Sequence, residues 1–484
     1  MQKQKITVVM AAAECAPFAK IGGLGDVVGS LPQALAQEGV NCIVLLPRYA
    51  FLNLHDSHMI KRGSFVVHES KTLERCTLYE LRQKSPVRYL FIDHPLLATN
   101  TIYHPPTGAK PVETRYARKF SFFSHAVVEA VQQCRLQADI IHCHDWHTAL
   151  VPTFVDQLAV LKNYPFTKTV LTIHNLGIKG LMRRDALSVS HIKIDSTPSL
   201  LEDYYDLDDK HLNSLKLGIL SADAITTVSP TYAKEILTHE YGSGLESFLF
   251  RRKRDLHGIL NGIDTNFFNP AHDPALPKTY SVKDWQKGKC INKRALQHAL
   301  HLPEKDVPLF GMVSRLVTQK GFDLIIEVLQ ALLPHAQFQL AVLGTGEKTI
   351  EQALRSAAHK HPHSVAAVIG FNLGLAQLIY AGADGFIMPS LFEPCGLGQL
   401  IAMRYGTIPI VRATGGLKDT VQNNKTGIVF SRYDTGSLAR ALLKAISLYG
   451  KKKSWYTMVA NGMRHDATWR RSADEYLSLY RSLL

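Results

Sequence analysis

A chain of 484 residues with 46% hydrophobic side chains has room for two or three cored domains. No apolar run approaches the roughly 18 residues of a membrane-spanning helix, and Met1 to Lys5 lead into the first strand without the apolar stretch or cleavage site of a signal peptide. Seven cysteines without a C-x-x-C pair fit a reducing compartment, so a cytoplasmic protein with no membrane partner is expected. The formal charge of +14 would suit nucleic acid, but it is dispersed. Its densest runs, Arg251–Arg254 and Lys451–Lys453, lack interleaved aromatics and read as solvated faces, so no nucleic-acid partner is expected.

The first element is a strand, Ile6–Met10. A glycine turn, Lys20-Ile21-Gly22-Gly23-Leu24-Gly25-Asp26, then feeds a helix with Val27, Val28, Leu31 and Leu35 at helical spacing and Gly39 as its stop. Pro32 should kink that helix or mark its true start. Cys42–Leu46 is the next strand, and a strand–helix–strand opening predicts a parallel sheet. A glycine turn at a helix N-terminus offers bare N–H groups and the positive dipole end to an anion. A nicotinamide-dinucleotide fingerprint does not fit, because Glu14 to Ile21 intervene and no acid follows Leu46-Pro47-Arg48. The plainer alternative is a turn that only shapes its loop.

Further buried strands are predicted at Ile140–Cys143, Thr169–Ile173 and Ala224–Val228, and a second series at Leu309–Val313, Phe338–Leu343, Ala366–Ile369, Gly385–Met388 and Ile408–Val411. Between the series, residues 250–305 are rich in Asn, Asp, Pro and Lys and form the best linker. The alternation predicts an α/β chain of two doubly wound domains, with ligand beyond the carboxyl ends of the strands in the cleft between them. His142-Cys143-His144-Asp145-Trp146-His147 looks metal-like, since His142 and His144 share a strand face. Zinc needs three or four compact ligands, and no further Cys/His cluster stands nearby, so no metal is expected. His174, alone at a strand end, reads as structural or catalytic.

In the second series, Arg315 lies at a strand end and Lys320 at the next helix start, so two cations can converge on one anion, unless the loop is only a charged surface. Glu393-Pro394-Cys395-Gly396-Leu397-Gly398 follows another strand, with a helix expected from near Gly396 whose N–H groups suit phosphate. Thr414-Gly415-Gly416-Leu417 repeats that design one strand later.

Together these segments resemble the bacterial glycogen synthases and plant starch synthases. The resemblance runs through Lys20–Asp26 (K-x-G-G-L-G-D), His142–His147 (H-x-H-D-W-H), Thr172–Leu176, Thr226–Ala233, Gly258–Asp264, Ser314–Leu316 with Gln319–Gly321, Pro389–Leu397 and Thr414–Leu417, spanning nearly the whole chain. It implies the GT-B architecture, with an N-terminal Rossmann-like domain over 1–250 on the acceptor side, a donor-binding domain over 251–460, and a C-terminal helix in 461–484 crossing back to the first domain. It implies retaining transfer of glucose from ADP-glucose, or UDP-glucose, to the non-reducing end of an α-1,4-glucan such as glycogen. No cofactor or metal is implied.

Site residues carry over from the same resemblance. Arg315 and Lys320 resemble the clamp on the leaving diphosphate, with Cys395, Gly396, Leu397 and Gly398 beside it. Lys20, Gly23 and Asp26 are expected to reach the phosphates or the glucose. Glu393 resembles the acid that holds the glucosyl ring and stabilises its developing positive charge. His174 resembles the residue at the glucose. Gly415 and Gly416 are expected close to the sugar, Phe371 on the base, and Asp145 and Tyr103 on the acceptor side. Domain closure would then exclude water from the donor.

The sequence departs from the family pattern in places. Gly398 stands where the family often has threonine, and Leu176-Gly177-Ile178-Lys179-Gly180 where Leu-Ala-Tyr-Gln-Gly is usual. Ile401 fills the second acidic position of the wider glycosyltransferase pattern, as is usual in this family. A transferase with a lipid or small-glycoside acceptor, or an inactive glucan-binding protein, are the competing readings. An intact Lys20, His174, Arg315, Lys320 and Glu393 argue against the last.

Overall fold

Strand β1 (Thr7–Ala11) buries Val8, Val9 and Met10 completely, as a parallel strand covered on both faces requires. This computed structural model describes residues 5–52, 54, 58–69, 72–103, 114–162, 167–183 and 211–484; Met1–Gln4, read above as free of a signal sequence, lie outside them. The helix after β1 runs from Gly23 to Gln37 and ends at Gly39, whose φ of +87° gives the left-handed stop. Pro32 therefore lies inside the helix rather than at its start. Its missing N–H leaves the Val28 carbonyl without an intrahelical donor, and the Cys15 thiol donates to that oxygen across 3.5 Å.

Among the described residues, ten further strands follow up to residue 258: β2 (Asn41–Pro47), β3 (Met59–Glu69), β4 (Thr72–Leu81), β5 (Val87–Asp93), β6 (Ile140–His144), β7 (Lys168–Ile173), β8 (Leu181–Arg183), β9 (His211–Asn213), β10 (Ala224–Thr227) and β11 (Leu256–Gly258). Nine of these eleven make one sheet in the order β11-β10-β7-β6-β1-β2-β5-β4-β3, and β8 pairs with β9. The sheet is parallel from β11 to β5, while β4 runs antiparallel to both β5 and β3. The β3–β4 hairpin was not expected. Its strands alternate buried and exposed residues, as an edge with one wet face does.

The second series supplies β12 (Leu309–Val313), β13 (Gln339–Gly344), β14 (Val365–Ile369), β15 (Gly385–Met388), β16 (Ile408–Arg412) and β17 (Ile428–Phe430). They form an all-parallel sheet in the order β14-β13-β12-β15-β16-β17, with its own core around Phe310, Phe322, Phe386 and Tyr405. The order reverses between β12 and β15, the switch point at which such sheets bind ligands beyond their carboxyl ends.

The chain divides into two compact units. One holds residues 1–228, 233–261 and 469–484, and the other holds 229–232 and 262–468. The final helix, Arg470–Leu483, joins the core of the first unit, where Trp469, Ala473, Tyr476 and Tyr480 pack with Val27, Val28 and Leu31. Within the Arg251–Arg254 run, Arg252 is not merely a solvated charge. Its guanidinium donates to the carbonyls of Ile219, Leu220 and Ala222 and closes the end of the helix Ser214–Ser221. No helix among the described residues is long and apolar enough to cross a membrane.

Candidate active site

In the first unit, the loop after β1 turns on Glu14, which is buried. Its Oε2 accepts the N–H groups of Ile21 (2.7 Å) and Gly22 (2.8 Å), and its Oε1 accepts the Tyr103 hydroxyl (2.7 Å). Two N–H groups expected to be bare for an anion are thus already held by a carboxylate of the same loop. The donors left without a partner among the described residues are those heading the helix, at Gly23 and Leu24, where no intrahelical acceptor exists. Lys20 and Asp26 pair across the turn at 2.6 Å, both partly exposed. Gly25 makes room for them, since a Cβ there would lie 3.0 Å from Lys20 Cγ. Tyr103 stacks on His147 at 5.1 Å, and burial, together with the Glu14 charge, holds its phenol protonated far above the usual range.

β6 delivers His142 and His144 to one face, their rings stacked at 4.3 Å. His142 is held at both nitrogens, with Nδ1 2.7 Å from the Tyr480 hydroxyl and Nε2 2.6 Å from Thr172 Oγ1. Thr172 in turn meets Thr226 Oγ1 at 2.5 Å. His144 Nδ1 lies 3.0 Å from His174 Nε2. Burial pushes His142 and His174 down to about 3 and His144 and His147 well below their usual value, so all four are neutral at neutral pH. Among the described residues, no group of three or more His, Cys, Asp or Glu is placed to hold a metal ion.

Asp145 adopts φ +58°, a left-handed turn that aspartate tolerates. The turn sets its Oδ1 against the N–H groups of His174 (2.8 Å) and Asn175 (3.3 Å). Burial outweighs those two bonds, the Glu14 charge adds to it, and the Asp145 carboxyl rises to about 7.

In the second unit, the loop after β12 carries Arg315 and Lys320. Arg315 is exposed, and its guanidinium has no partner among the described residues. Lys320 closes the short turn Thr318–Lys320, and Gly321 follows at φ +75°, where a Cβ would lie 2.3 Å from Pro389 O. The turn therefore abuts the loop after β15. There Lys320 Nζ donates to Glu393 Oε2 at 2.6 Å, and Ser390 Oγ donates to the same oxygen at 3.0 Å. The Leu391 N–H donates to Gln319 O (2.9 Å), and Gln319 Nε2 donates to Phe392 O (3.1 Å), fixing the two loops together.

Arg412, buried at the end of β16, braces the same loop by donating from Nε to Ser390 O (2.7 Å) and from Nη2 to Leu391 O. On the other side, Gly415 (φ +43°) and Gly416 bring the backbone so close that a Cβ would lie 2.0 Å from Glu393 O and 2.2 Å from Cys395 O respectively. The Gly416 N–H donates to the Glu393 and Pro394 carbonyls, each at 3.1 Å, and Ser229 Oγ donates to Pro394 O at 2.6 Å. The glycines at 415 and 416 are thus required by the loop that aims Glu393.

The helix expected from Gly396 starts two residues later, at Gly398, because Gly396 is a left-handed turn at φ +72°. A Cβ at Gly398 would lie 3.0 Å from Phe386 Cε1 and 3.4 Å from Met388 Sδ, so a side chain there would require the Phe386 ring to give by a few tenths of an ångström. Cys395 is buried. Phe371, after β14, is 92% exposed, an unusual state for a large apolar ring.

The structure brings Lys320, Glu393, Ser390 and Gly415 together, and separately gathers Lys20, Asp26, Glu14 and Tyr103. Sequence reasoning missed Glu14, Ser390, Arg412 and Tyr480. Glu14 was visible as the sole acid between the strand and the glycines. Arg412 and Tyr480 gave no signal, because their partners lie 21 or more positions away.

Residues 7–251 match the family described as starch synthase catalytic domain, and residues 293–459 match glycosyl transferases group 1. The chain is 40% identical over 498 residues to a glycogen synthase of Geobacillus thermodenitrificans, covering 99% of this chain and 98% of the relative. It is 42% identical over 489 residues to that of Exiguobacterium sibiricum, covering 97% and 98%. The solved catalytic domain of starch synthase IV from Arabidopsis thaliana, bound to ADP and acarbose, superimposes with a TM-score of 0.89 at 33% identity, covering 99% of each chain. A sucrose-phosphate synthase from Thermosynechococcus elongatus, with a TM-score of 0.61 at 17% identity over 99% of each chain, shares the fold.

Proposed function

This chain belongs to the family of glycogen synthases and starch synthases, and on that premise we propose that its donor is ADP-glucose. It has the GT-B fold and is a glucosyltransferase with a nucleotide-sugar donor and a glucan acceptor. ADP in the Arabidopsis starch synthase supports the adenosine donor over UDP-glucose. Glucose passes to the non-reducing end of an α-1,4-glucan with its anomeric configuration kept. Seven free cysteines support a cytoplasmic setting.

One observation carries the chemistry: Lys320 and Glu393, paired at 2.6 Å in a largely buried spot, put a cation for the leaving group beside an anion for the sugar. The ammonium has three donors and spends one on Glu393, so it can bond a diphosphate oxygen without releasing the carboxylate. Arg315, which has no partner among the described residues, adds a second cation. As the bond from the anomeric carbon to the diphosphate lengthens, negative charge builds at the cations and positive charge at the sugar, where Glu393 stabilises it. The acceptor hydroxyl attacks on the face the diphosphate leaves, and its proton passes to the departing phosphate oxygen. The Gly23 N–H, and Lys20 held by Asp26, are assigned to phosphate or glucose; Cys395, Gly396, Leu397 and Gly398 to the diphosphate; Phe371 to the base; and Asp145 and Tyr103 to the acceptor. His174 is assigned to the glucose.

The test is incorporation of labelled glucose into glycogen from ADP-glucose and from UDP-glucose. Faster transfer from ADP-glucose is expected. Faster transfer from UDP-glucose would overturn the donor, and none from either would overturn the acceptor.

A further inference from the structure

Of the buried groups around His174, His144 has the most constrained chemistry. Its ring is fully buried, and its backbone is fixed by Thr148, whose Oγ1 accepts the His144 N–H at 2.7 Å and donates to the His144 carbonyl at 3.1 Å. One face stacks on His142, itself pinned by Tyr480 and Thr172. Its Nδ1 faces His174 Nε2 at 3.0 Å, and its own Nε2 has no partner among the described residues.

Two neutral imidazoles meeting nitrogen to nitrogen share one proton, and only two arrangements satisfy the contact. If His174 donates, His144 must carry its proton on Nε2, where a buried N–H would go unmet. If His144 donates from Nδ1, that Nε2 holds only a lone pair, and His174 carries its proton on Nδ1. Orphaned buried N–H groups are rarer than under-used acceptors, so the second arrangement is favoured. Depression of both pKa values by burial keeps the pair neutral.

We propose that His144 is a positioning residue that fixes His174 as its Nδ1–H tautomer, so that His174 presents an N–H donor, and not an acceptor, to a sugar oxygen of the donor substrate. The His174 ring is half-buried, and its Nδ1 has no partner among the described residues, so the donor edge is open to a ligand. The role at the sugar rests on the glucosyltransferase reading; the tautomer does not.

The experiment reads imidazole ¹⁵N shifts in the full-length chain, with the His174 signals assigned by their loss in His174→Asn. The wild type should show His174 protonated at Nδ1 and His144 likewise; protonation of His174 at Nε2 overturns the proposal. In His144→Asn the side-chain amide replaces the Nδ1 donor, so the His174 tautomer and kcat within about fivefold of wild type should persist. In His144→Phe, which keeps the stack but not the donor, His174 should shift toward Nε2–H and kcat should fall by 10-fold or more with an unchanged glucan KM. An unchanged tautomer in His144→Phe would assign His144 a purely structural role. Absence of glucosyl transfer by the wild type, with the tautomer as expected, would remove the substrate reading and leave the tautomer standing.

Discussion

Lys320 Nζ and Ser390 Oγ converge on one oxygen of Glu393, at 2.6 and 3.0 Å, so the carboxylate is oriented before any substrate arrives. Preorganised charge of this kind acts on the transition state more than on binding. Glu393→Ala should therefore lower kcat by at least about 10²-fold with a modest change in KM. Lys320→Ala should raise the donor KM and lower kcat while glucan affinity stays near wild type. It also strands a buried carboxylate on Ser390 alone, so urea unfolding should show a loss of about 3 kcal/mol. Wild-type turnover in both variants would move the active site elsewhere.

Phe371 is the most exposed large apolar residue of the described chain, and a base stacked on it would gain about 1–3 kcal/mol. Phe371→Ala should raise the KM for the nucleotide sugar by about 5- to 100-fold and leave kcat within about threefold. Protein stability should not change, because the ring buries little. A donor KM that stayed constant would remove Phe371 from the donor site.

Gly398→Thr would restore the hydroxyl common in the family, but it would also press a Cβ to 3.0 Å from the Phe386 ring. Overpacking of this kind costs about 1–3 kcal/mol, so thermal unfolding should move down by several degrees without a gain in donor affinity. Adding Phe386→Leu should recover part of the stability, and a double-mutant cycle measures that coupling.

Acid should unfold the first unit early. His142, His144, His147 and His174 have folded-state pKa values far below the unfolded value of about 6.5, so below pH 6 the unfolded chain binds protons that the folded chain refuses. Stability is full above pH 6.5 and is lost as pH falls toward the folded values. Asp145, raised to about 7, works in the opposite sense between pH 4 and 7, and so, more weakly, does the exposed Asp156, raised to about 6. The balance is at least two protons, or roughly 3 kcal/mol per pH unit between pH 5.5 and 4.5. Chemical denaturation at a series of pH values checks the slope. His147→Phe fits among Trp146, Tyr103 and Phe120 and should flatten it by about 1.4 kcal/mol per pH unit.

Apolar runs in the sequence placed the central strands to within a residue or two, because a strand buried on both faces is apolar throughout. The β3–β4 hairpin escaped because a half-wet edge dilutes that signal. Gly39 was legible as a stop, while Pro32 misled, because its cost is met by the thiol of Cys15, seventeen residues upstream, that no helical pattern shows. At the candidate site the residues proposed for chemistry stood out through glycine turns and charges. Their supports did not: Arg412 grips carbonyls of Ser390 and Leu391, and any residue type offers a carbonyl. The pairing of His142 with Tyr480 spans 338 positions and could be read only in three dimensions.

The helix Arg470–Leu483 has a consequence for synthesis on the ribosome. Trp469, Tyr476 and Tyr480 complete a core begun by Val8 and Met10, so the unit translated first cannot finish folding until codons 469–484 are read. The second unit, whose residues all precede 469, is free to fold before it. A stop codon near position 468 would release a chain with one finished half and one open core, a substrate for quality control even though every residue assigned to chemistry had already been made.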